Sequence, residues 1–335
     1  MHWSRSIVVM VIVIAFGALP SVILASHQSR QRPEVVPGHN SPYLYITNAF
    51  TNDLSIVDPA TQQVVKRVRV GKRPLGVAVT NDNRFVLVAN FDSQTVSVVE
   101  LRRFKVVKEI PTGGIGADGI AISPDGHYAY VANANSNDLT VIDTATWKVV
   151  KRLKVGEAPD GIVFTPDGRT AYVTNCDSND VSVIDTASMT EAKRIGVGVV
   201  PEGIVLTPDA KYAFVANNVS DDVSVIDLVS NLVVRTIPVG DAPAGLTVSP
   251  DREHVWVANE RSNSISVIKI STMGVVRTVP TGGDFPVDIQ FTEDGRYAYI
   301  SHRDSSSVSI LDLLKEHVVK VLPLAGPLQE GVAKR

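Results

Sequence analysis

Short apolar runs alternate with polar positions along most of this chain, at a period close to two, and the runs are rich in Val, Ile and Tyr. Such runs read as half-buried strands. Four of them come in a fixed order: DGIAI (118–122), YAYVA (128–132), LTVID (139–143) and VVKRLKV (149–155). They are termed inner, second, third and outer strands. Turn chemistry separates them. In SPDG (123–126) the proline presets the first turn residue, the aspartate bonds nearby backbone, and the glycine supplies a positive φ. TNDN, TPDG, TPDA, SPDR and TEDG recur at the same place. No segment carries a helical period.

The set of four strands repeats seven times. YVTNCDSNDVSVID (172–185) aligns with YITNAFTNDLSIVD, LVANFDSQTVSVVE, YVANANSNDLTVID, FVANNVSDDVSVID, WVANERSNSISVIK and YISHRDSSSVSILD. The pivot residues are Asn48, Asn90, Asn133, Asn175, Asn217, Asn259 and His302, spaced 42, 43, 42, 42, 42 and 43 apart. Four short strands per repeat of this length is the arithmetic of a β-propeller. The expected fold is all-β, a seven-bladed β-propeller of four-stranded antiparallel blades.

Y-V-T/A-N, then N-D, V-S-V-I-D, V-G-x-x-P-x-G and S-P-D-G together resemble the YVTN-type β-propeller repeat family. The likeness covers residues 43–335. The Trp-Asp dipeptide of WD-type repeats is missing, and Gly-His does not recur from repeat to repeat. The resemblance implies a seven-bladed, usually exported propeller, in a periplasm or at a cell surface. Its fold relatives include a lactonase and the haem-binding propeller of dissimilatory nitrite reductase, so fold alone does not specify function.

The ends bear on ring closure. The repeats begin at a second strand, Tyr43–Thr47, with no inner strand recognised before it. EGVAKR (330–335) matches an inner strand without its turn, so the C-terminal strand is expected to complete the first blade. Residues 1–25 stand apart: Arg5 precedes the apolar stretch 7–25, which reads as a signal peptide with cleavage near Ser26. An uncleaved signal anchor is the alternative, and would be the chain's only membrane attachment. Residues 26–42 read as a polar, proline-bearing linker.

Composition narrows the function classes. One cysteine excludes an intramolecular disulfide and a thiolate metal cluster. A net charge of −3 disfavours nucleic acid as a partner. The Lys and Arg of the outer strands, such as Lys66, Arg67, Lys151 and Arg152, read as charges that block edge-to-edge pairing. A closed ring is expected to be monomeric.

No nucleophile elbow, phosphate loop or zinc motif is present, and no catalytic residue is assigned. Cys176 falls where the other repeats have Ala49, Phe91, Ala134, Asn218, Glu260 and Arg303, and no histidine lies near it in sequence. His302 replaces the pivot asparagine. Both are secondary candidates, and on a seven-fold ring they are expected not to share one metal. The stronger candidates are carboxylates at the start of the inner strands, in the x position of P-x-G: Asp118, Asp160, Glu202 and, in the closing repeat, Glu330. Asp288 stands at the glycine position itself. Nothing in the turn demands a carboxylate there, and these positions should ring one mouth of the channel. Hard oxygen donors suit Ca²⁺ or Mg²⁺; a cationic small molecule or a Lys/Arg side chain of a protein partner meets the same need. The expectation is a binding or scaffold module at this acidic mouth. The alternatives are a metal-dependent, lactonase-like hydrolase and an accessory protein of a periplasmic redox system.

Overall fold

A computed structural model describes residues 35–37, 43–292, 294–303 and 306–324. These residues form seven four-stranded antiparallel sheets and no helix. Each sheet is one blade and is contiguous in sequence. Blade four, for example, runs Pro159–Phe164, Thr170–Asn175, Asp180–Asp185 and Thr190–Gly196. Inner strands meet side by side in chain order, and that of blade one touches those of blades two and seven. The sheets therefore form a ring, as the repeat predicts.

The burial pattern follows the strand order. Second and third strands are buried almost throughout, outer strands at a single position. Each core cluster combines residues from adjacent blades, such as Tyr130, Leu139, Val173 and Ile184 of blades three and four. The hydrophobic drive thus acts between blades, and no blade could bury its faces alone.

Polar residues of the repeat fix the loops. In the SPDG turn Ser123 Oγ donates to Asp125 Oδ1 at 2.6 Å, and Tyr128 N donates to Ser123 Oγ at 3.0 Å. Gly126 has φ +76°, but Ala210 and Arg252 hold the same conformation at the same place. Four of the loops between blades are clamped from both sides. Asn179, itself at φ +57°, accepts the Val200 N–H at 2.8 Å from the blade being left. Ser220 accepts the Val199 N–H at 3.0 Å from the blade being entered. Equivalent pairs recur round the ring, such as Asn137 with Ala158 and Ser178 with Glu157.

One expectation is overturned. The inner strand of blade one is Val35–Pro37, pairing Val35 with Ile46 and Pro37 with Leu44. It lies inside the stretch read as linker, and residues 330–335 fall outside the described residues. A strand just ahead of the second strand forms the same antiparallel hairpin as in every other blade. It escaped notice because it is three residues long and lacks the SPDG turn. Ring closure also uses the far rim, where Lys320 Nζ donates to Gln62 O at 2.7 Å and the Tyr299 hydroxyl to Pro59 O at 3.3 Å. The apolar segment 7–25, with the cleavage expected near Ser26, also lies outside the described residues. Among those residues no helix is long and apolar enough to cross a membrane.

Candidate functional site

Inner strands begin where second strands end, so Pro159 pairs with the pivot Asn175. The P-x-G turns and the pivot loops therefore share one face. Between Pro159 and Ile162 the register shifts, a bulge that breaks the regular alternation where x sits. The glycine of the motif is needed because backbone crowds it. A Cβ on Gly119 would lie 2.0 Å from Asp160 O, and one on Gly161 2.6 Å from Glu202 O. In blades three to seven the carbonyl of the x residue thus packs on the glycine of the blade before. Where the pivot triplet carries threonine, the hydroxyl ties down the same carbonyl: Thr174 Oγ1 donates to Glu202 O at 2.5 Å and Thr47 Oγ1 to Leu75 O at 2.7 Å.

Asp118, Asp160, Glu202 and Asp288 all line one cavity of about 230 Å³ on the channel axis. Glu330 lies outside the described residues. Glu202 and Asp118 are buried, while Asp160 and Asp288 are half-buried. Beyond the carboxylates the wall is aliphatic, with Ile120, Ile162, Ile204 and Leu246, plus Gln290. The site is therefore a narrow amphipathic well with carboxyl groups from four blades. Asp288 Oδ1 is partly engaged, accepting its own neighbour's N–H from Ile289 at 2.8 Å. No group of three or more His, Cys, Asp or Glu side chains comes close enough to hold a metal, among the described residues. The four described carboxylates of the mouth therefore do not by themselves form a cage for Ca²⁺ or Mg²⁺.

Sequence reasoning missed the layer above the carboxylates. Cys176 Sγ lies 3.0 Å from Pro201 O and 3.9 Å from Asp160 Oδ2, buried against Ala158 and Val200. In blade five Asn218 takes the same place, and its Nδ2 donates to Glu202 Oε2 at 3.2 Å and to Pro243 O at 3.3 Å. Glu260 and Arg303 occupy it in blades six and seven, and form an ion pair with Arg303 NH1 at 3.2 and 3.3 Å from the two carboxylate oxygens. Both partners of that pair are about 95% buried. The residue after the pivot thus contacts a neighbouring blade in blades four to seven. Its variability across the repeats reflects different ways of filling a seam that is buried at six of the seven positions.

His302 is not brought together with Cys176. Its imidazole is fully buried and its Nε2 is hydrogen-bonded to Ser309 Oγ at 2.8 Å. Pivot asparagines make the same bond to the residue seven further on, as Asn175 Nδ2 does to Ser182 Oγ at 2.8 Å. Burial pushes the His302 pKa down to about 4, with Asp284 opposing weakly, so the ring is neutral at pH 7.

The seven-bladed ring matches known proteins mainly through its fold. A family model described as a YNCE-like β-propeller matches residues 77–171. One described as a lactonase, seven-bladed β-propeller, matches residues 197–318. No curated protein matches the chain. Among solved structures, Kuenenia stuttgartiensis hydrazine synthase superimposes with a TM-score of 0.74 at 25% identity, over 83% of this chain and 94% of that one. A protein of unknown function from Desulfotomaculum acetoxidans gives 0.75 at 18% identity, over 84% and 95% of the two chains. The dihydro-haem d1 dehydrogenase NirN gives 0.66 at 22%, covering 87% of this chain and 66% of that one. The chain is thus similar to YNCE-like and lactonase-type propellers, each over part of its length, and as a whole is a seven-bladed β-propeller.

Proposed function

We propose that this is a YVTN-type propeller, exported from the cytoplasm, that acts as a non-catalytic binding module and takes its ligand at the acidic mouth of the channel. One observation carries the reading: carboxylates from four blades line a single cavity whose deeper wall is aliphatic. Like charges around a narrow, low-dielectric opening attract and concentrate cations. An aliphatic wall below them suits a ligand with an apolar body and a cationic head, or a Lys or Arg side chain presented by a protein. Export is supported by the apolar segment 7–25 behind Arg5.

The test is calorimetric titration with organic amines of increasing chain length, with arginine, and with Ca²⁺ and Mg²⁺ as controls. Binding of an amine by the wild type is expected. It should be lost in an Asp118→Asn, Asp160→Asn, Glu202→Gln triple variant. Equal binding by the variant, or none by the wild type, would refute the mouth as the site.

A lactonase-like hydrolase is favoured only by the family match over residues 197–318. An accessory role in a redox system rests on the likeness to hydrazine synthase. Among the described residues the mouth offers carboxylates that do not converge in a group of three, which gives neither reading an observation of its own.

A further inference from the structure

The direction of the inner strand in blade one decides which part of the chain meets the mouth. In blade four the inner strand starts at Pro159, opposite the pivot Asn175 on the mouth face, and runs to Phe164 opposite Ala171. The inner strand of blade one runs the same way, from Val35 opposite Ile46 to Pro37 opposite Leu44. Val35 thereby holds the register position of Ile162, which pairs with Val173 and lines the cavity. The leading end of this strand points to the mouth. Ahead of it in sequence comes SHQSRQRPE (26–34), which lies outside the described residues and carries Arg30 and Arg32 but no lysine. The cavity wall has carboxyl groups in blades three, four, five and seven and, among the described residues, no Lys or Arg.

We infer that residues 26–34 of this chain fill the mouth and place Arg30 and Arg32 against the carboxyl groups of Asp118, Asp160, Glu202 and Asp288. Reach, charge and shape all select this segment. Arg32 stands three residues ahead of Val35 and Arg30 five. At about 3.3 Å per residue their backbones begin within about 10 and 17 Å of the strand. A guanidinium pairs with a carboxylate through two parallel hydrogen bonds. Its methylene stem packs on aliphatic surface, which Ile120, Ile162, Ile204 and Leu246 provide. The tether holds both heads at the mouth at an effective concentration on the order of millimolar, so pairs too weak to form with a free peptide suffice. This contact, which rests on the mouth being a site for cations, regulates that site: an external ligand enters only by displacing the chain's own arginines. The ligand's apparent affinity falls in proportion to the fraction of molecules whose mouth is open.

Carbodiimide treatment of the full chain carrying Arg32→Lys tests the placement without added ligand. A zero-length cross-link from residue 32 to Asp118, Asp160, Glu202 or Asp288, read by peptide mass spectrometry, is expected. No such link, or links from Lys334 of the C-terminal segment in its place, would overturn the inference. Calorimetry with n-butylamine, the analogue of a lysine side chain, tests the regulation. Arg30→Gln with Arg32→Gln should tighten its binding about fivefold or more. An affinity that these two changes leave unmoved, yet that the Asp118→Asn, Asp160→Asn, Glu202→Gln variant abolishes, would refute the segment and keep the mouth as the binding site. A cross-link from residue 32 in a protein whose arginine variant binds no amine would keep the segment and end the reading of the mouth as an amine site.

Discussion

His302 shows how one residue can look functional in sequence and be structural in place. Its Nε2 meets Ser309 as the amide of Asn175 meets Ser182, and Gly283 leaves room for the ring: a Cβ there would sit 2.8 Å from it. The substitution has a cost that depends on pH. The unfolded chain binds a proton near pH 6.5, and the folded chain only near 4. Below pH 6.5 the unfolded state therefore holds more protons, and stability falls as pH drops towards 4. The loss is about 2 kcal/mol at pH 5 and approaches about 3 kcal/mol below pH 4. His302→Asn restores the pivot amide of the other blades and should remove this component. Urea unfolding of both proteins at pH 7 and pH 5 checks it. A wild-type pH dependence identical to that of the variant would show that the buried imidazole does not titrate as described.

Strands and turns were legible because their signals are local. Alternation in YAYVA and the hydroxyl and carboxylate of SPDG act within a few residues, and both are found as read. The seams between blades were not legible, since each joins residues from different repeats. Asn179 stands just before the third strand of its own blade, but its bond to Val200 crosses into the next connection. Glu260 and Arg303, one repeat apart, meet as a buried pair that no spacing rule signals. Such a pair is costly to break from one side. Arg303→Met should lower stability by about 3–5 kcal/mol, because Glu260 is left buried without its cation. Adding Glu260→Leu should recover much of the loss. Denaturant unfolding of the two single variants and the double variant measures the coupling, and simple additivity would count against the pair.

At the scale of the molecule, the repeat count predicted the ring, while the position of its closing strand was misjudged for want of a turn motif. Val35–Pro37 has a bearing on processing. Cleavage near Ser26 leaves this strand on the mature chain, whereas cleavage beyond residue 35 would remove the inner edge of blade one. The mature protein is therefore expected outside the cytoplasm with an N-terminus between residues 26 and 34. Intact-mass measurement on fractionated cells decides it, and an intact Met1 in a soluble cytosolic pool would contradict export.

The carbonyl-on-glycine contacts of the P-x-G turns have one more implication. They set the bore of the ring through main chain, so the frame itself does not dictate which side chain stands at x. The two roles of the inner strand are thereby uncoupled. Leu75, Asp118, Asp160, Glu202 and Ala244 occupy the same socket on neighbouring blades of one frame. Mutation can change the chemistry of the mouth one socket at a time while the main-chain contacts that set the bore stay in place, and this gives a physical reason why rings of this kind turn up beneath such different activities.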